Sequence, residues 1–598
     1  MSEPGSKVQS NSGEQRAGQR LDSWKEIAAY LRRDVRTVQR WERGEGLPVH
    51  RHLHDKQGTV YAYQSELDEW WHGREANSAV AETAAPTGGA SQPAINAAAL
   101  AAAEESHTRY WPWLLAAAVG VLLVAGISLL RQRIWPARSG QVTVAVLPFR
   151  DLNAPAPGQE YFAAGLSEEM MARLAQVAPG KLRVVRLTAA YRDRSLRQIG
   201  SEFKADYVLQ GSVRRDGKRV AITAELQQVR DQSQVWAESY ERDLRDVLGI
   251  QAEVAGAIAR AISARLPAAS QAAPQIEPAA YEAYLKGRYF WNKRSPESLL
   301  KAVDYFQQAI ADQPDYAAAY SGLADCYGLL GSIPYAVLPP REAFPKAKAA
   351  AQKALALDPK LAEAHVSLGY VDLVYEWDAA GAERELQLAL QLRPDYATAH
   401  QFYAYYLSAT GRLDEAINER KRAQELDPLS PVITASLGEA YYLAAQFERS
   451  GDEYKKSLEL DPDFSVGLIN LGRTEIQMGR YAEAAHLFGN ALKGREEDPG
   501  LLMLLGYDQA LAGDGAAARA RLRQLQRISQ HRYVPALYVA AIYTGLGDKD
   551  QAFAWLQKAY DERCDYLVYL WTEPAARALR NDPRFAQLMA RIPVHYRR

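Results

Sequence analysis

Apolar positions change their spacing several times along this chain of 598 residues, and each spacing predicts a different kind of element. Between Asp22 and Trp71, Ser23 and Glu26 form an S-x-x-E box opening a helix whose Ile27, Ala28 and Leu31 share one face. After a turn at Arg32-Arg33, Asp34 caps a second helix, VRTVQRWER, that buries Val35, Val38 and Trp41; a hairpin and a third helix follow. The run WLLAAAVGVLLVAGISLL, from Trp113 to Leu130, is uncharged and flanked by Tyr110, Trp111 and Trp135, as interfacial aromatics flank a membrane-crossing helix. At about 1.5 Å per residue, the stretch from Tyr110 to Leu130 reaches about 31 Å, enough for a hydrocarbon layer of about 30 Å; a buried core helix is the alternative.

The pattern then turns to strands. VTVAVLPF and LRVVRL read as strands, FAAGLSEEMMARLAQV and SLRQIGSEF as helices, and DYVLQGSVRRDGKRVAITAELQQV as a strand pair turned at Asp216-Gly217. SQVWAESYE extends the sheet, and Leu244 to Leu266 closes a compact α/β domain with one sheet. Glu168 and Glu169 are adjacent helix residues about 100° apart, which predicts a solvated first turn rather than an acid/base pair.

The last half of the chain repeats itself. A polar or acidic residue followed by proline recurs at Gln313-Pro314, Asp358-Pro359, Arg393-Pro394, Asp427-Pro428, Asp461-Pro462 and Asp498-Pro499, with a core spacing of about 34 residues. Leu437-Gly438, Tyr441, Ser450, Tyr454, Ser457 and Pro462, then Leu471-Gly472, Ala484, Phe488 and Ala491, alternate large and small positions in register. This stretch resembles a tetratricopeptide array, with about eight units from Tyr281 to about Asp565, an insertion at 332–340, an irregular seventh unit and a capping segment at 567–598. Such arrays hold peptides or protein surfaces in a concave groove lined by each unit's first helix. That register places Tyr405, Glu439, Tyr442 and Arg473 in the groove; packing between units is the alternative for them.

Net charge is −1, so DNA binding has to rest on a local patch rather than on the whole field. The patch is on the second N-terminal helix, where Arg36, Gln39, Arg40 and Arg43 recur at three- and four-residue intervals with Thr37 beside them. Arginine bridges guanine O6 and N7 and glutamine pairs bidentately with adenine, so the stripe suits a major groove; a solvated or protein-binding helix face is the alternative. SWKEIAAYL followed by TVQRWER resembles the winged helix-turn-helix of the MerR and excisionase group, with Arg32 where such turns often carry glycine. The resemblance makes LPVHRHLHDKQGTVYAY a wing with Asp55 to Gly58 at its tip, and puts Arg51 and Lys56 on phosphates. His50, His52 and His54 alternate; a polar wing face explains them without a metal, and neither metal nor cofactor is expected.

Val144-Ala-Val-Leu-Pro-Phe149, Tyr161-Phe-Ala, Gly165-Leu-Ser-Glu-Glu169, Tyr207-Val-Leu, Gly211-Ser-Val-Arg-Arg215 and Trp236-Ala-Glu238 resemble a TolB amino-terminal-like module, with Ala164 where relatives often have aspartate. That resemblance implies envelope or sensory placement without catalysis. The first 20 residues lack a signal peptide's apolar stretch, and Cys326 and Cys564 have no zinc or disulfide spacing. No P-loop, HExxH, G-x-S-x-G or kinase set stands out, so no enzyme is expected.

The expected chain is multidomain and predominantly α. Its parts are a disordered terminus (1–20), a winged helix-turn-helix (21–75), a flexible linker (76–109), one transmembrane helix (110–134), a TolB-like α/β domain (141–267), an α-solenoid of tetratricopeptide repeats (279–566) and capping helices (567–598). The order of parts resembles membrane-tethered regulators of the ToxR and CadC type. The expected partners are DNA for the N-terminus, protein or peptide for the repeats, the membrane for 110–134, and a second copy in a homodimer. Arg131, Arg133 and Arg138 against Arg109 favour cytoplasmic repeats. A DNA reader requires the opposite, giving an inner-membrane, single-pass protein with its N-terminus cytoplasmic and its C-terminal region periplasmic. The alternative is an envelope scaffold that recruits partners and binds no DNA.

Overall fold

The computed structural model describes residues 20–44, 46–51, 60–71, 141–153, 161–177, 181–217, 219–262 and 275–594. They belong to two compact units, 1–130 and 131–598.

In the first unit, β1 (Arg20–Leu21), α1 (Trp24–Tyr30), α2 (Val35–Gly44), β2 (His50–Arg51), β3 (Val60–Tyr63) and α3 (residues 64–71) surround one small core. The three strands pair antiparallel in the order β1-β3-β2. Ser23 caps α1 by accepting from the Glu26 N–H at 3.3 Å, while the Glu26 carboxylate accepts from the N–H of Asp22 at 2.9 Å; the returning arm of the box lands one residue early. Ile27, Val38, Trp41, Val60, Ala62 and Leu67 are buried, and Trp41 meets Trp70 and Trp71 at 5.6 and 5.7 Å between ring centroids. Arg32, between the two helices, adopts φ 52°, the left-handed region that the resemblance reserved for glycine.

In the second unit, β4 (Val142–Val146) is flanked by β6 (Leu182–Arg186) and β7 (Tyr207–Asp216), both parallel to it, while β8 (Arg219–Gln228) and β9 (Gln234–Asp243) continue the sheet antiparallel. The order is β6-β4-β7-β8-β9, and β5 (Arg150–Asp151) pairs with β7. Helices α4 (Tyr161–Val177) and α6 (Val247–Ile262) cover one face, where Phe162, Leu166, Met170, Val254 and Ile258 meet Val144, Leu209 and Ile222. Helix α5 (Leu196–Phe203) covers the other, against Ala145, Val185 and Val208.

Eight helix pairs follow among the described residues, from Pro278–Asn292 with Pro296–Asp312 to Ala536–Gly545 with Lys549–Asp561. The residue before each repeat proline is pushed out of helical geometry by the pyrrolidine ring. Asp358 and Asp461 accordingly end their helices with φ −138° and −147°. Small residues bring the two helices of a pair together: a Cβ built on Gly472 would stand 2.3 Å from Phe488, and one on Gly438 3.0 Å from Tyr454.

The α/β domain and the first units share one core, running from Val144 and Leu166 through Tyr281 and Leu285 to Phe306 and Leu330. Glu168 and Glu169 therefore do not form a solvated first turn. They lie midway along α4 and face the array, where Glu168 accepts from Arg288 and, at 3.0 Å, from Asn292, and Glu169 accepts from Tyr284 at 3.0 Å. Burial works to raise the Glu168 pKa, but the guanidiniums of Arg288 and Arg186 prevail and hold it at about 2. On the opposite edge Arg183 donates to the carbonyl of Glu425, and Leu429 packs against the α5 side of the sheet.

One element of the expected fold class is corrected. Among the described residues no helix is long and apolar enough to cross a membrane, which overturns the single-pass architecture and the inner-membrane placement read from the sequence. The apolar helices here are amphipathic, interrupted by charges or short, and protein covers their buried faces. The run 110–134 that carried the expectation lies outside the described residues, as do the terminus 1–19, the linker and the wing tip.

Glu168→Gln is expected to destabilise the second unit by about 3 kcal/mol at pH 7 by leaving Arg288 only the more distant Asp325, at 3.9 Å. Because the folded pKa lies below the usual 4.5, that contribution is complete above pH 4.5 and is lost as pH falls toward 2, so denaturation midpoints of the two proteins should converge there. Gly472→Ala should cost about 1–3 kcal/mol in the same measurement, since Phe488 has to move.

Candidate functional site

The first unit presents α2. Its inner face is fixed by Val38 and Trp41, which leaves Arg36 and Arg40 exposed on the other side, one helical turn apart, with Gln39 half-buried beside them. Neither arginine is held in an ion pair among the described residues. Thr37 stands at the helix entrance, where its N–H and hydroxyl both donate to Asp34, at 2.9 and 2.7 Å. The hydroxyl expected to face DNA thus first serves the cap. Those hydrogen bonds hold the Asp34 carboxyl below its ordinary pKa. Arg43 belongs to α2 and Arg51 to β2 by their backbones; their side chains, and the whole of Lys56, His52 and His54, lie outside the described residues. His50 bonds Glu66 at 2.8 Å and stacks on Tyr61.

The second unit holds a cavity of about 300 Å³ on the inner side of the array. Tyr405, Glu439, Tyr442 and Arg473, the four residues expected in the groove, all line it, on the first helices of the fourth, fifth and sixth pairs. They do not face open solvent. Two short 3-10 turns after the last pair, Asp565–Tyr569 and Pro574–Leu579, fold back across those helices. Tyr442 donates to Glu573 at 2.8 Å and Arg473 donates to Glu573 at 2.9 Å and to the Tyr566 oxygen at 2.8 Å, its guanidinium 4.6 Å from the Tyr442 ring centre. Arg420, fully buried, donates to the Ser436 carbonyl, stands 3.5 Å from Glu439 and lies over the Tyr405 ring at 4.7 Å.

The insertion at 332–340 adds a further wall. Ile333 N–H donates to both carboxylate oxygens of Asp565 at 3.2 Å, the Ile333 carbonyl accepts from Tyr538 at 2.6 Å, and Ala336 packs among Leu502, Ile528 and Ile542 of the last two pairs. Burial pushes the Asp565 pKa up to about 7 and that of Tyr405 to about 12. Asp565, Tyr566, Tyr569 and Glu573 were missed as site residues because the first two fall at the very end of the expected array and the others in what reads as a cap. The run DYLVYLWTE, which sets three aromatics between two acids outside the repeat pattern, is the signal that marks them.

Residues 140–255 match the family model of the HilA/YgeH-like transcriptional regulator, second domain, where the sequence pattern resembled a TolB-like module. Over 290 residues the chain is 26% identical to the transcriptional regulator HilA of Salmonella typhimurium, covering 48% of this chain and 51% of that one. Over 196 residues it is 29% identical to the putative adenylate cyclase 3 of Rhizobium meliloti, covering 32% and 33%. The chain spans between a third and about half the length of these curated relatives. Among solved structures it is similar to PilW, a widely conserved type IV pilus biogenesis factor, with 22% identity and a TM-score of 0.30 over 36% of this chain and 94% of that one. The chain thus has a domain similar to the second domain of HilA/YgeH-like regulators, followed by a tetratricopeptide-like array of helix pairs.

Glu573→Gln is expected to leave Arg473 buried without a counter-charge, at a cost of about 3 kcal/mol. Amide hydrogen exchange at 565–579 should quicken while the first helix pairs keep their protection; equal exchange throughout would show that Glu573 does not hold the segment.

Proposed function

We propose that this chain is a one-component transcription regulator whose N-terminal unit binds DNA and whose α/β domain and array receive the signal. The observation that carries the reading is the match of 140–255 to a transcriptional regulator's second domain, placed after a helix-turn-helix that exposes Arg36 and Arg40. In this reading the fold of residues 20–71 is of the MerR and excisionase kind, and α2 enters the major groove. Arg36, Gln39, Arg40 and Arg43 face base edges, Thr37 sits beside the backbone, and Arg51 and Lys56 hold phosphates. Paired half-sites require paired readers, so the active form is a homodimer.

A protein partner on the repeats remains part of the proposal. It has to accommodate the fact that Tyr442 and Arg473 are engaged by the chain's own Glu573.

Chromosomal DNA crosslinked to the full-length protein should map to discrete peaks that vanish in Arg36→Ala/Arg40→Ala. In vitro the double variant should lose about 30-fold or more in affinity for the peak sequence, at two base contacts of about 1–3 kcal/mol each. Absence of peaks would overturn the regulator and leave the scaffold that recruits partners without DNA.

A further inference from the structure

The cavity holds one buried carboxyl, that of Asp565, outside any ion pair of the described residues. Asp565 is 3% exposed, and its carboxylate accepts the Ile333 N–H at 3.2 Å, the Tyr370 hydroxyl at 3.5 Å and the weak Cys564 thiol at 3.9 Å, besides backbone N–H groups of its own turn. No cation among the described residues pairs with it. Of the other acids that line the cavity, Glu439 is balanced by Arg420 and Glu573 by Arg473, while Asp498 accepts from the N–H groups of Gly500 and Leu501 as a helix cap. Ionising a buried carboxyl is costly, and a positive partner beside it lowers that cost.

The surroundings suit a positive partner of organic type. Tyr370, Phe402 and Tyr405 meet edge to face or tilted, with centroids 5.1 to 6.4 Å apart, and Tyr569 closes the same wall. Aromatic faces attract cations, and this wall already does so, since Arg420 and Arg473 lie over Tyr405 and Tyr442. A second observation is independent of the acid. The Tyr569 hydroxyl, on a side chain only 6% exposed, has no hydrogen-bond partner among the described residues. Arg294, Arg495 and Arg532 also line the cavity, but Arg294 lies over the Trp291 ring at 3.7 Å, the other two are exposed, and none forms an ion pair with Asp565 among the described residues.

We propose that this cavity binds a protonated primary amine with a small apolar body, its ammonium donating to the Asp565 carboxylate and to the Tyr569 oxygen while its body lies among Tyr370, Phe402 and Tyr405. A quaternary ammonium satisfies the rings but has no N–H for Tyr569, and an anion would meet Asp565 while the buried guanidiniums are already paired. About 300 Å³ admits a ligand the size of a phenylalkylamine. The site belongs to the array and stands whether or not the N-terminal unit binds DNA.

Calorimetric titration of the full-length protein with 2-phenylethylamine, 2-phenylethanol and choline tests this. The amine should bind with a dissociation constant of about 1 mM or tighter, and the alcohol and choline at least about tenfold more weakly. Asp565→Asn should weaken the amine about tenfold or more, and Tyr569→Phe should weaken it measurably while leaving the fold intact by circular dichroism. If Asp565→Asn fails to fold, Tyr569→Phe and the alcohol decide the matter. No amine binding, equal binding of the alcohol or of choline, or an amine affinity unchanged in a folded variant would each overturn the site.

Discussion

A stack of helix pairs leaves an inner face that water has to cover, and here the chain covers it itself. The return of residues 565–579 across the fourth to sixth pairs is the contact on which the rest of the second unit depends. It places Glu573 between Tyr442 and Arg473, and brings Asp565 to the insertion at Ile333. It also buries Leu567, Val568, Tyr569 and Leu570 in the same cluster as Val374, Trp377 and Leu407, so apolar burial and paired charge act at one place. A groove that would otherwise lie open becomes a partly covered chamber in which aromatic and polar groups converge, the general character of small-ligand sites.

The same logic operates at the other end of the array. Glu168 on α4 and Arg288 on the first helix of the array are joined inside a continuous apolar core, and Tyr161 donates to Glu282, which also pairs with Arg215 at 2.7 Å. The α/β domain is thus built into the first units rather than appended to them. A change in how the first pairs stack has a direct mechanical route to the sheet, through packed side chains rather than through a linker.

Local features were legible in the sequence because local chemistry fixes them. The S-x-x-E box, the Asp34 cap, the Asp216-Gly217 turn and the residue-proline breaks each specify backbone geometry within a few residues, and the small positions at Gly438 and Gly472 are required by the rings opposite them. Tyr405, Glu439, Tyr442 and Arg473 were placed together by register alone, since one face of successive first helices must look inward. What covers that face was not legible. Whether 565–579 reaches Tyr442 depends on the accumulated curvature of the stacked pairs, which no window of sequence contains. Glu168 was misjudged for a related reason: spacing gives its angle on α4, not the identity of the neighbour that packs there. The apolar run 110–134 met the length and hydropathy criteria for a span, and among the described residues no helix meets them.

Ordinary repeat arrays fold from nearest-neighbour contacts and can grow from either end. The bonds from Ile333 to Asp565 and Tyr538 join residues more than 200 positions apart, at separations of 232 and 205. Their loop entropy has to be met late, so the chamber cannot assemble until the chain has been made through Asp565. A solenoid closed in this way behaves less like a spring of independent turns than like a clasped bracelet. Its two halves hold or open together, and a disturbance at the clasp is felt around the whole circuit.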